Sequence, residues 1–220
     1  DAVRRCINDS FGCEKISIEK IKHFISKEAL NIEGLGKKVV EKFWDLGFVR
    51  KPQDIFLLNY ENITNLDGWG KLSVNNLRSS IESSKIVSLH KFIYSLGIRH
   101  IGFENAKILS DNLKNISNFV EIVKNKKFEK FLNIDGIGET QVNSLKKFFT
   151  NKLNINIVTE LSHILTIETS KINKKGNLKD KSFMITGKLD GISRAEVKSL
   201  IEKNSGSTLS TVNKNLDYLV

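Results

Sequence analysis

Long apolar runs are missing from this chain. None approaches the ~18 residues that a membrane-crossing helix requires, and the start carries no signal-peptide pattern. Cysteine is scarce too: two thiols in 220 residues exclude a disulfide scaffold, and nothing points to an oxidising compartment. The expectation is a soluble cytoplasmic protein of one or two domains. Acidic residues are outnumbered, 25 Asp and Glu against 35 Lys and Arg, which leaves a formal net charge of +10. Such a surplus suits an anionic partner such as nucleic acid. It also has a bland source, because 29 Lys against 6 Arg, with 22 Asn, is the skew that A/T-rich codons produce without functional demand. Catalytic constellations are lacking as well, and the four histidines lie far apart.

What the chain does contain is a repeat. "GLGKKVV" (Gly34–Val40), "GWGKLSV" (Gly68–Val74) and "GIGETQV" (Gly136–Val142) each place two glycines around one large apolar residue. Aligned on the second glycine (Gly36, Gly70, Gly138), apolar residues recur four before it, at Ile32, Leu66 and Ile134. They recur four after it at Val40, Val74 and Val142, and seven after at Phe43, Leu77 and Leu145. A fourth copy centres on Gly102, with Ile98, Ile101, Ala106 and Leu109, and with His100 in the place of the first glycine. The centres are 34, 32 and 36 residues apart, the range of stacked supersecondary units. Apolar residues at +4 and +7, and at +11 in Ile81, Leu113 and Phe149, predict one buried stripe of a helix that starts just past the glycine. Upstream residues such as Phe24, Ile25 and Leu30, or Phe92, Ile93 and Leu96, suit a preceding helix. Each unit therefore reads as helix, tight hairpin, helix.

This pattern resembles the helix-hairpin-helix motif in four tandem copies, a motif that binds the DNA backbone without reading sequence. Physical chemistry is consistent with that use. A helix N-terminus presents unpaired N–H groups and about half a positive charge. Glycine lets those groups approach a phosphate with no Cβ in the way. The implied DNA-binding residues are Gly34, Gly36, Lys37, Gly68, Gly70, Lys71, Gly102, Gly136 and Gly138, the two lysines adding charge just past their hairpins. The competing expectation is an ordinary helical repeat whose glycines only make turns.

Two flanks narrow the resemblance. Cys6 and Cys13 lie near the start, too few by themselves for a four-ligand zinc site; His23 suits packing better than ligation. Near the end, "FMIT" reads as a strand ending at Gly187, "SRAE" (Ser193–Glu196) as a capping box opening a helix, and "STLSTV" and "DYLV" as two more strands. This β-α-β-β run resembles the first half of a BRCT domain, after a polar, Lys-rich linker. The expected fold is mainly α: residues 1–25 as a cysteine-bearing flank with a connecting helix, 26–165 as the four-repeat domain, 166–177 as linker, and 178–220 as a partial α/β BRCT domain.

In that order, these parts resemble the C-terminal portion of a bacterial NAD-dependent DNA ligase, over essentially the whole chain. The resemblance implies a parent that seals nicks in duplex DNA during replication and repair, using NAD and magnesium bound outside this segment. It implies that residues 1–25 are the second half of a four-cysteine zinc finger plus a connecting helix, with Cys6 and Cys13 as half of a structural zinc site and the other cysteine pair upstream. It further implies a monomer that binds nicked duplex DNA, with the BRCT part contacting DNA or protein, and no membrane association. The rival reading is a non-catalytic DNA-binding module of another repair protein. Ligases carry their adenylated lysine in Lys-x-Asp-Gly, and "KLDG" occurs at Lys188–Gly191. It is a decoy on context, since it falls in a turn of the BRCT-like region, where no pocket can depress a lysine pKa. No catalytic residue is expected in this segment.

Overall fold

Left-handed backbone sets the hairpins. Gly34, Gly68 and Gly136 stand at φ of 81, 81 and 83°, where L side chains are strained. In the turns of hairpins two, three and four, the residue between the two glycine positions (Trp69, Ile101 or Ile137) donates its N–H to the carbonyl three residues earlier at 3.0 Å. The second glycine then starts a helix in all four copies. The N–H groups of Val40, Val74, Ala106 and Val142 donate to the carbonyls of Gly36, Gly70, Gly102 and Gly138 at 2.9–3.1 Å.

The structure is a computed structural model that describes residues 13–169, 176–179, 181–187, 192, 197, 198, 200, 201, 204–209 and 216–220. It divides into two units, Asp1–Ser170 and Lys171–Val220. In the first, α1 (Glu14–Phe24) precedes the hairpin helices α2 (Lys37–Asp45), α4 (Lys71–Ser84), α6 (Phe103–Leu113) and α8 (Glu139–Thr150). Between them lie α3 (Tyr60–Thr64), β1 (Ile86–Ser88), α5 (Leu89–Ser95) and α7 (Ile116–Lys124), with 3-10 turns at Pro52–Leu57 and Phe128–Asn133. Helix α9 (Lys152–Ile164) and β2 (Thr166–Glu168) close the unit.

The predicted stripes are the core. Val40, Phe43, Val74, Leu77, Ile81, Ala106, Leu109, Leu113, Val142, Leu145 and Phe149 are all buried in one continuous apolar cluster. Two sequence expectations change. The fourth hairpin is preceded by the 3-10 turn rather than an α-helix, and residues 166–168, read as linker, form a strand. Strand β2 pairs parallel with β1 in the register Ile86↔Thr166.

The hairpins associate in pairs. Glu33 N–H donates to Ser80 Oγ at 2.7 Å, and Lys42 Nζ donates to the carbonyl of Asp67 at 3.2 Å. Phe43 and Trp69 rings lie 5.7 Å apart, so hairpin one is seated on hairpin two. At hairpin four, a Cβ added to Gly136 would stand 3.0 Å from Ile108 Cδ1 on α6, the helix of hairpin three. Glycine there allows an approach that alanine crowds.

In the second unit β3 (Ser182–Met184) lies between β4 (Ser207–Thr208) and β5 (Tyr218–Leu219), both parallel to it. Strands β4 and β5 fall within the runs read from sequence, and β3 starts one residue before "FMIT", at Ser182. Val197, Lys198, Leu200 and Ile201 are helical as expected, whereas the capping box Ser193–Glu196 and Lys188 lie outside the described residues. The chain is mainly α with a partial α/β end.

Candidate nucleic-acid interface

Among the described residues three α-helices begin under a side-chain cap and six do not: α1 at Cys13, α5 at Ser88 and the four hairpin helices. Helices α3, α7 and α9 are capped by Asn59, Asn115 and Asn151, whose side chains accept hydrogen bonds from first-turn N–H groups. That is the common solution to four orphan donors. The hairpin helices α2, α4, α6 and α8 instead start at Gly36, Gly70, Gly102 and Gly138, with no side-chain cap on the first-turn donors. Four helix starts therefore present N–H groups outward at the positive end of the macrodipole.

The two glycines of each pair answer to different demands. The first turns the chain at positive φ. In hairpin three His100 takes this place at φ 61°, a conformation that histidine tolerates better than most residues. Asn105 Nδ2 fastens that turn by donating to the His100 carbonyl at 2.9 Å. The second glycine has ordinary extended backbone, with φ of −71, −107, −76 and −102°. A Cβ there would meet nothing within 4 Å at Gly36, Gly70 and Gly102, and only the Gln141 Oε1 at 3.5 Å at Gly138. Neither backbone strain nor packing inside the chain requires glycine at these four positions.

Charge is unevenly shared among the tips. Lys37, Lys38 and Lys71 are exposed just past hairpins one and two, and exposed Arg99 precedes His100. Hairpin four is flanked by Asp135 and Glu139 instead. Lys38, Arg99 and the Lys42–Asp67 bridge were missed in the sequence reading. Lys38 was visible in "GKK", but the bridge joins residues 25 apart and leaves no local signal.

The other candidates behave differently. Cys6 lies outside the described residues, and Cys13 is a half-buried thiol at the start of α1, its carbonyl accepting from Ser17 Oγ at 2.9 Å. Among the described residues no three His, Cys, Asp or Glu side chains gather as a metal site. Two cysteines do not fit a tetrahedral zinc site by themselves. His23 is a packing residue, as its sequence context suggested: its Nε2 lies 2.8 Å from the Tyr94 carbonyl and its ring meets Tyr94 edge-on at 4.7 Å. No helix among the described residues is long and apolar enough to cross a membrane.

Comparison with known proteins finds the same motif in the sequence. A family model described as the helix-hairpin-helix motif matches residues 91–158, the stretch that holds hairpins three and four. A DNA ligase of Pelagibacter ubique is 61% identical over 221 residues, covering 100% of this chain and 33% of the relative. DNA ligases of Rickettsia bellii and Rickettsia massiliae are 40% and 41% identical, covering 100% of this chain and 34% of each relative. The chain thus spans about a third of the length of these relatives. By sequence the whole chain is similar to about a third of a DNA ligase, and it carries the helix-hairpin-helix motif.

Proposed function

We propose that this chain is the duplex-gripping C-terminal part of a bacterial NAD-dependent DNA ligase. One observation carries the reading. Gly36, Gly70, Gly102 and Gly138 occupy N-cap backbone that aspartate, serine or asparagine would fill with equal or better stability, and the space beside the first three is open. An anion held against the first-turn N–H groups accounts for an N-cap with no Cβ; the N–H groups of Gly70 and Gly138 themselves donate to Ser73 Oγ at 3.0 Å and Gln141 Oε1 at 3.2 Å. Such contacts hold the duplex through its phosphates and leave base identity unread.

On this reading the segment binds nicked double-stranded DNA as a monomer. The adenylation chemistry, with its NAD and magnesium, belongs to another part of the ligase. Cys6 and Cys13 supply half of a zinc site completed by a second cysteine pair. The parallel β4-β3-β5 sheet is the start of a BRCT domain, whose contact is with DNA or a protein. The setting is the bacterial cytoplasm.

The test exploits the opposite signs that the two readings give to one substitution. Gly70→Asp and Gly138→Asp each install a favoured N-cap residue, so the thermal midpoint should hold or rise slightly. The same carboxylate would sit where a phosphate must, and affinity for a nicked duplex should fall at least about tenfold. Wild-type affinity should be similar across duplex sequences and fall steeply with salt. The chain should not ligate with NAD, and Lys188→Ala should change nothing. Undiminished DNA affinity in both folded aspartate variants would leave only a plain helical repeat.

A further inference from the structure

Leu72 is 75% exposed, at the second position of α4, directly past Gly70 and Lys71. Exposure of a single leucine is ordinary, and Leu57 and Ile86 are also largely exposed. The placement of Leu72 is what sets it apart. The corresponding residues of the other hairpin helices are Lys38, Glu104 and Thr140, all polar. Helix periodicity does not call for an apolar residue there either, since the buried stripe of α4 is Val74, Leu77 and Ile81. Neighbouring groups are those of a phosphate contact: exposed Lys71, the open Gly70 and the first-turn N–H groups of a 14-residue helix.

We infer that Leu72 is an apolar positioning residue, packing on the deoxyribose carbons beside the phosphate that the hairpin-two helix start holds. This rests on the duplex-binding reading above. Sugar carbons are the apolar surface nearest to any bound backbone phosphate, so an apolar side chain exposed beside a phosphate contact has them within reach. The contact displaces water without neutralising charge, so it adds affinity that salt does not screen.

That gives Leu72 a signature distinct from its neighbour. In titrations of the 220-residue chain against a nicked duplex, Leu72→Ser should weaken binding about tenfold. The slope of log affinity against log salt should stay unchanged. Lys71→Ala should make that slope shallower by about 0.9, the loss of one phosphate contact. Leu72→Met should bind within about threefold of wild type. Thermal midpoints of all three should match wild type, because Leu72 supports no core. Full affinity in Leu72→Ser overturns the inference, as does a changed salt slope. A change in self-association with DNA binding intact also overturns it and assigns the leucine to a second copy of the chain. Gly70→Asp separates the two levels: if it too leaves affinity intact, duplex binding itself fails, whereas loss there with normal Leu72→Ser binding refutes the sugar contact alone.

Discussion

His100 shows what a single residue tolerates when its surroundings fix the chain. At φ 61° it performs the turn that Gly34, Gly68 and Gly136 make in the other hairpins. A left-handed non-glycine residue costs about 1–2 kcal/mol, partly offset because glycine loses more backbone entropy on folding. His100→Gly should therefore stabilise the chain by about 0.5–1 kcal/mol, read as a thermal midpoint higher by roughly 1–4 °C. A lower midpoint would mean that the imidazole has a stabilising contact in the folded state. Gly34→Ala should do the reverse and destabilise, since the methyl would be strained at φ 81° and would touch Leu77 Cδ1 at 3.7 Å. The position of His100 was readable as a gap in the glycine pattern. The exposure of Leu72 was not, because one leucine in a helical stretch reads first as core.

At the scale of elements, the hairpin helices were legible because their stripe repeats at +4, +7 and +11, a period that only a helix satisfies. The 3-10 turn at Phe128–Asn133 was not, for its buried Phe128 and Phe131 are spaced as well for an α-helix. In the second unit, β3 and the chain entering β5 are joined by one carboxylate. Asp217 accepts from the Ser182 N–H at 2.7 Å and from its Oγ–H at 2.9 Å. These hydrogen bonds, the backbone one foremost, hold its carboxyl below the ordinary 3.8, against a smaller opposing effect of desolvation. A depressed carboxyl contributes stability that is complete above the unfolded value and disappears as pH falls through the folded one. The β3–β5 pairing should accordingly loosen below about pH 3.8. The Ser182 amide resonance reports this directly, and Asp217→Asn should abolish its acid transition. An unchanged titration in that variant would mean another group is responsible.

At the scale of the whole molecule, the two units differ in what their cores can supply. The first buries aromatic and aliphatic side chains from every hairpin helix. The second has strands of two or three residues, and Tyr218, Leu219 and Val220 are exposed. Amides of Leu77 and Ile93 should therefore exchange with solvent only on global unfolding, while those of Phe183 and Leu209 exchange through cheaper local opening. Equal protection in both units would contradict this. The division at residue 170 was only approximately legible. Three residues such as Thr166–Glu168 show no alternation of their own and become a strand only because Ile86–Ser88 offers an edge.

That late partner has a consequence on the ribosome. Ile86 and Thr166 are 80 positions apart, so β1 leaves the exit tunnel long before β2 exists. Translation at about 5–20 residues per second separates their appearance by about 4–16 s. Helices form in microseconds, so hairpins one and two can assemble while the edge at Ile86 still waits. For those seconds the backbone edge at Ile86–Ser88 stays unpaired, and its protection depends on how quickly synthesis reaches residue 168.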